Sequence, residues 1–232
     1  MEYRCIKCGF GIKTLFVQYS PGNIRLMKCD NCKAIADEYI ECEFMIIFID
    51  LILHRPKAYR HLLYNVLFQE NVSFEGMVWK SAICFLLLDA YKSLLLERDS
   101  TQWGSSLSFS SFGWICSKVF MNVFVANFLF LCIFLLAMRT LLHTTIELSR
   151  CRELLLAILV SSYFKVFLMA MMVWEFPSLV IFIIDLFVLS SNIVAIKVTS
   201  ESAMDRCMGA CLCAHAVKLL ATMVPQLWSL GY

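Results

Sequence analysis

The chain has 232 residues, 60% of them hydrophobic and 16% charged, with a formal net charge of +2. A mean hydropathy of +0.74 exceeds what a single globular core of this length hides, so a wholly soluble fold is excluded and the surplus apolar surface is expected to face lipid. The net charge identifies no partner; where the charges stand matters more.

The first element lies at the N-terminus. Met1 to Cys8 carries no apolar leader, so translocation of this end by a cleaved signal is not expected. Cys5 and Cys8 form one CxxC pair, and Cys29 and Cys32 form a second. This is the spacing of a four-cysteine zinc site, in which a tight turn points two thiolates at one ion while its backbone N–H groups face the sulfurs. Gly9 suits the positive φ that often follows such a turn, whereas Lys33 holds the equivalent place in the second knuckle. Between the pairs, Thr14–Tyr19 and Ile24–Lys28 read as strands around a Ser20–Asn23 turn, with a third short strand expected over Ile35–Ile40. Residues 1–42 are therefore expected to form a small zinc ribbon stapled by one structural Zn2+. A closed all-cysteine site leaves no open position for a catalytic water. Of the other cysteines, Cys84, Cys116, Cys132, Cys151, Cys207, Cys211 and Cys213 stand in or beside apolar runs, and Cys42 stands apart from both groups. Free thiols there behave as small hydrophobes, which favours a reducing environment over a disulfide scaffold.

Residues 43–75 form a basic and aromatic hinge. Phe44–Leu53 is apolar apart from Asp50 and too short to cross a bilayer, which takes roughly 20 residues, so an interfacial helix ended or kinked at Pro56 is expected. Arg55, Lys57, Tyr59, Arg60 and His61 then supply the mixture of cations and aromatics expected at lipid headgroups. An ordinary solvated connector is the plainer alternative. The neighbouring sequence is lipid-facing rather than basic, which argues against nucleic acid.

The paired CxxC knuckles, the stretch Asp37-Glu38-Tyr39-Ile40-Glu41, and Asp50 followed by Ala58-Tyr59-Arg60-His61-Leu62-Leu63-Tyr64-Asn65 resemble the homology domain of the Arv family of endoplasmic-reticulum membrane proteins. The likeness covers residues 3 to about 65. It implies a non-enzymatic role in sterol and sphingolipid homeostasis, with intracellular lipid transport and support for glycosylphosphatidylinositol-anchor assembly. Sterols, anionic lipids and lipid-biosynthetic or anchor-assembly membrane proteins are then the expected partners.

Residues 76–232 are expected to form an all-α bundle of four or five transmembrane helices. Residues 119–138 are free of charge; 154–174 contain Lys165, and 178–196 contain Asp185. Residues 76–96 carry Lys80, Asp89 and Lys92, the last two at i and i+3 where they can pair. Residues 207–228 carry Lys218 and Pro225, and whether they span is left open. Nine of the Lys and Arg residues precede residue 76, so the positive-inside rule places the ribbon in the cytosol. The sequon Asn71-Val72-Ser73 would then stay unmodified.

The short turn Glu175-Phe176-Pro177 makes its flanking helices an antiparallel hairpin. Lys165 and Asp185 then fall at depths of ~16 and ~14 Å, near mid-bilayer, where a charge needs a partner. An ion pair between them, a polar lining for a passing headgroup or ion, and separate partners all fit that depth. Two further function classes compete with lipid handling: an ion-coupled transporter built on this pair, and an adaptor whose ribbon recruits a lipid-biosynthetic enzyme. An enzyme is disfavoured, because the histidines at 61 and 143 sit in no recognisable acid/base constellation.

Overall fold

The computed structural model describes residues 3–67, 74–100, 109–141, 148–170, 177 and 179–230. The sequon at Asn71, His143 and the turn residues Glu175 and Phe176 lie outside the described residues.

The N-terminal module holds two small antiparallel ladders. Strand β1 (Tyr3–Arg4) pairs with β2 (Gly11–Ile12), and β3 (Phe16–Ser20) pairs with β4 (Asn23–Leu26). Gly22 closes the second hairpin at φ +82, a conformation that costs glycine little. This hairpin agrees with the sequence reading to within two residues at each end. The expected third strand shrinks to a single bridge, Lys28 to Ile35. Asp37 explains why, since its carboxylate accepts the Tyr39 N–H at 3.0 Å and caps a 3-10 turn, Glu38–Glu41, in place of the extended chain.

Helix α1 (Phe44–Ile52) follows at once, burying Asp50 and Leu51 while Phe44, Met45, Ile46 and Ile49 stay exposed. The chain reverses at His54, which adopts φ +55, and Pro56 opens α2 (Pro56–Arg60) at its first turn, where its missing N–H costs nothing. Helix α2 runs into a wider π-helical stretch, His61–Leu67, that turns His61, Leu63, Tyr64 and Asn65 inward.

The remainder is helical: α3 (Phe74–Ser100), α4 (Phe109–Leu141), α5 (Leu148–Ser161), a 3-10 stretch Ser162–Val166, α6 (Phe167–Ala170), α7 (Leu179–Ser200) and α8 (Met204–Leu230). Among the described residues, three segments are long and apolar enough to cross a membrane: Gly113–Thr140, Cys151–Ala170 and Leu179–Ser200. Helices α3 and α8 have the length, 27 residues each; α3 carries more charge than these segments, and α8 carries Asp205, Arg206 and Lys218.

Helix α8 packs on α4 through a stripe of Cys207, Ala210, Cys211 and Ala214, facing Phe130, Phe134, Ala137 and Met138. Small side chains at i, i+3 and i+4 let two helices approach closely where lipid offers no hydrophobic drive for association. The module is not a separate body. Ile6, Tyr39, Leu51, Tyr59, Leu63 and Tyr64 share one core with Leu156 and Ala157 of α5 and Val194, Ala195 and Val198 of α7.

Candidate metal centre and the buried charge cluster

The two knuckles are near-copies of one another. In the first, Gly9 N–H donates to the Cys5 carbonyl at 2.8 Å and Cys5 N–H to Phe10 O at 2.9 Å; in the second, Lys33 N–H donates to Cys29 O at 2.9 Å and Cys29 N–H to Ala34 O at 2.8 Å. Gly9 sits at φ +80 and Lys33 at φ +59. The geometry therefore demands a left-handed residue after each pair, and Lys33 adopts it at a cost that glycine avoids.

The four thiols lie within 4.8 Å of one another, with Cys5 to Cys32 at 3.7 Å and Cys8 to Cys29 at 3.6 Å. A tetrahedral ion with metal–sulfur bonds of about 2.3 Å sets sulfurs about 3.8 Å apart, so this donor set fits a closed four-thiolate metal site. Cys5 and Cys8 differ in how readily they ionise. Burial pushes the Cys5 thiol up to about 12. Burial acts the same way on Cys8, but hydrogen bonds from the Phe10 backbone and the neighbouring cysteines outweigh it and bring that thiol to about 7. A bound cation would stabilise all four thiolates together.

The residues that carry the resemblance form the frame behind this site. Asp37 is fully buried; it lies 2.7 Å from His61 Nδ1 and accepts from Asn65 Nδ2 at 2.6 Å. Asn65 in turn bonds both backbone groups of Arg4. Tyr39 donates its hydroxyl to Asp50 at 2.6 Å; burial and that carboxylate hold the phenol above its usual range, so it remains a donor. Arg60 Nη1 donates to the carbonyls of Ile6 at 2.9 Å and Lys7 at 3.1 Å, bracing the first knuckle from behind.

The headgroup set is therefore divided. Tyr59 is 1% exposed, its hydroxyl 2.7 Å from Ser191 Oγ on α7, and His61 and Arg60 are taken up by the frame. The sequence reading of these three as headgroup contacts is corrected: Tyr59 turns to α7, His61 to the buried Asp37 and Arg60 to the first knuckle, each held there by hydrogen bonds. Arg55 and Lys57 keep side-chain exposures of 59% and 45%, Arg55 reaching in to the buried Asp50 and Lys57 pairing at the surface with Glu38.

The pairing of Lys165 with Asp185 is likewise corrected. Lys165 Nζ donates to Asp89 on α3 at 2.5 Å, the other oxygen of Asp89 accepts from Lys218 on α8 at 2.5 Å, and Asp185 pairs with Lys92. Depth along a hairpin fixes the level of a charge but not the face it points from, and the 3-10 stretch around Lys165 turns that residue toward α3. Both lysines of the triad also lie over the Phe85 ring, at 3.3 and 4.8 Å, as cation–π partners. A second buried polar chain runs from Ser191 Oγ to the Ser161 carbonyl at 2.6 Å, from Ser161 Oγ to Asn192 at 2.5 Å, and from Asn192 Nδ2 to His215 Nε2 at 3.1 Å. Sequence reasoning overlooked Asp89 with Lys218 as partners, and Asn192 and Asn127 altogether. One signal was present: Lys218 continues the Ala210 and Ala214 stripe by one turn, so it faces inward.

Together these features define a multi-span membrane protein with a four-cysteine module seated on its helix bundle. The Arv1-like family model matches residues 4–196, and the chain belongs to that family. It is 53% identical to Protein ARV 1 of Arabidopsis thaliana over 96% of this chain and 89% of that protein. It is 31% identical to the arv1 homolog of Dictyostelium discoideum, over 84% of this chain and 83% of that one, and 32% identical to human ARV1, over 85% and 72%. No solved structure matches.

Proposed function

We propose that this chain is a non-enzymatic, multi-pass protein of the endoplasmic-reticulum membrane that serves sterol and lipid homeostasis by moving lipids within and between membranes. Its cargo class is sterols, sphingolipids and glycosylphosphatidylinositol intermediates, and its partners are lipid-biosynthetic or anchor-assembly membrane proteins. One Zn2+ held by Cys5, Cys8, Cys29 and Cys32 would fix the module. The ion's part is to hold the four thiolates together. The chain's own part is to bring α1 to the membrane surface: with Phe44, Met45, Ile46 and Ile49 exposed on one element and Arg55 and Lys57 exposed just beyond it, α1 has the apolar face and cationic edge of an interfacial helix. That exposed face is the observation that carries the reading.

The parity of the spans supports the arrangement. Arg4 pairs with Glu201, and Tyr64 donates to the Thr199 carbonyl at 3.2 Å, so the module and the end of α7 lie on one side. Three apolar crossings between them would leave them on opposite sides. We therefore take α3 as the fourth crossing; at 27 residues it is about 40 Å long, and its Asp89 and Lys92 are met by Lys165, Lys218 and Asp185. The excess of Lys and Arg before residue 76 puts that common side in the cytosol.

Reconstitution tests the reading. Purified protein in sterol-donor vesicles should accelerate sterol transfer to acceptor vesicles, and Arg55→Gln with Lys57→Gln should slow it only where the vesicles are anionic, since each basic residue contributes about 1 kcal/mol at such a surface. Transfer no faster than in protein-free vesicles would overturn the reading.

A further inference from the structure

Among the described residues, the charges inside the bundle do not balance. Lys165 and Lys218 share the one carboxylate of buried Asp89, while Lys92 and Asp185, each partly exposed, pair with one another, which leaves one positive charge in excess among the helices. Such a charge is costly there and calls for a counter-charge. Four of these five residues, Asp89, Lys92, Asp185 and Lys218, line a cavity of about 200 Å³ between α3, α4, α7 and α8. Its rim includes Phe182, Leu219 and Met223, all exposed, so it opens toward the lipid phase. A second cavity, of about 300 Å³ and walled almost wholly by apolar groups such as Trp79, Phe85, Phe124 and Phe128, lies between α3, α4 and α5.

Asn127 on α4 lines both cavities. Its side-chain amide donates to the Val123 carbonyl at 2.9 Å, which fixes the orientation of the group. Its Oδ1 has no hydrogen-bond partner among the described residues although the residue is only 5% exposed. A buried acceptor left without a donor costs about 1–3 kcal/mol and, at the junction of a charged and an apolar cavity, marks a place for a ligand's donor group.

We propose that these paired cavities form an intramembrane site for a monoanionic phospholipid with a hydroxylated headgroup. The phosphate balances the surplus charge at Lys218, a headgroup hydroxyl donates to Asn127 Oδ1, and an acyl chain lies along the apolar cavity. The site deepens the lipid-handling reading and rests on it for its purpose, but binding can be measured without transfer.

Phosphatidylglycerol is the probe, with phosphatidylmethanol as the anion lacking a headgroup donor and phosphatidylcholine as the zwitterion. Lipid retained by the full-length protein in detergent is counted by native mass spectrometry. Wild type should hold phosphatidylglycerol more tightly than either control. Lys218→Met removes the surplus charge but leaves the Asp89–Lys165 and Asp185–Lys92 pairs, and should bind phosphatidylglycerol roughly tenfold more weakly. Asn127→Leu removes the orphan acceptor, so it should fold at least as stably as wild type while losing the preference for phosphatidylglycerol over phosphatidylmethanol. Unchanged affinity in both variants would overturn the site, as would displacement of phosphatidylglycerol by inorganic phosphate alone. A wild type that retains phosphatidylglycerol no better than the controls while still transferring sterol would sink the site and spare the lipid-handling reading; selective retention without any transfer would do the reverse.

Discussion

The N-terminal module and the helix bundle handle buried polar groups in opposite ways. In the module, nearly every such group closes on a neighbour: Asp37 takes up Tyr39 N–H, Asn65 and His61, Asp50 takes up Tyr39, and Arg60 takes up two knuckle carbonyls. In the bundle, among the described residues, one lysine is left over after the carboxylates are shared, and Asn127 Oδ1 has no donor. A closed network specifies a shape. An open one specifies a ligand. The residues that make the chain recognisable are thus mostly scaffold, and the incomplete chemistry lies where no short motif marks it.

Cys29→Ser gives the largest effect expected on the module side of this contrast. The apparent binding energy of a structural zinc is about 10–16 kcal/mol and is largely folding energy, so the variant should lose metal and expose residues 3–42 to protease. Cys42→Ser should retain full metal content, because Cys42 bonds only the Glu38 carbonyl. Elemental analysis with limited proteolysis checks both.

Asp89→Asn strikes the bundle. It leaves Lys165 and Lys218 without their shared carboxylate, and removal of one partner of a buried ionic group costs about 3–5 kcal/mol. The midpoint of thermal unfolding in detergent should fall, and adding Lys165→Met and Lys218→Met together should restore it. Failure of that rescue would mean that charge balance is not what holds α3, α5 and α8 together.

Arg60→Gln sharpens the comparison by opening the closed network at one point. The loss of charge-assisted bonds to Ile6 O and Lys7 O is worth about 2 kcal/mol, read as faster removal of zinc by a chelator with lipid retention unchanged. The smallest effect runs the other way. Lys33→Gly relieves a left-handed conformation that costs a non-glycine residue about 1–2 kcal/mol, and should slow metal loss.

How much of this was legible in the sequence follows from the range of each interaction. Each cysteine knuckle and the β3–β4 hairpin are set by contacts a few residues apart, so CxxC spacing and a Pro-Gly turn were enough to read them. The apolar spans follow from composition, and the left-handed place at Gly9 from turn chemistry. What the sequence hid was direction. Tyr59, Arg60 and His61 looked like a cationic, aromatic surface until the π-helical stretch after Arg60 and the shared core with α5 and α7 turned them inward. Lys165 and Asp185 matched in depth, but partners are chosen by helix face, and that depends on α3 and α8 packing from far along the chain.

The central claim is that the module braces while the bundle holds the lipid, and one measurement reaches it most directly: phosphatidylglycerol and phosphatidylmethanol retained by the full-length protein carrying Asn127→Leu, with zinc content determined on the same sample. The account predicts full zinc occupancy, undiminished thermal stability and phosphatidylglycerol retained no better than phosphatidylmethanol. A wild-type preference for phosphatidylglycerol with zinc in place would contradict it.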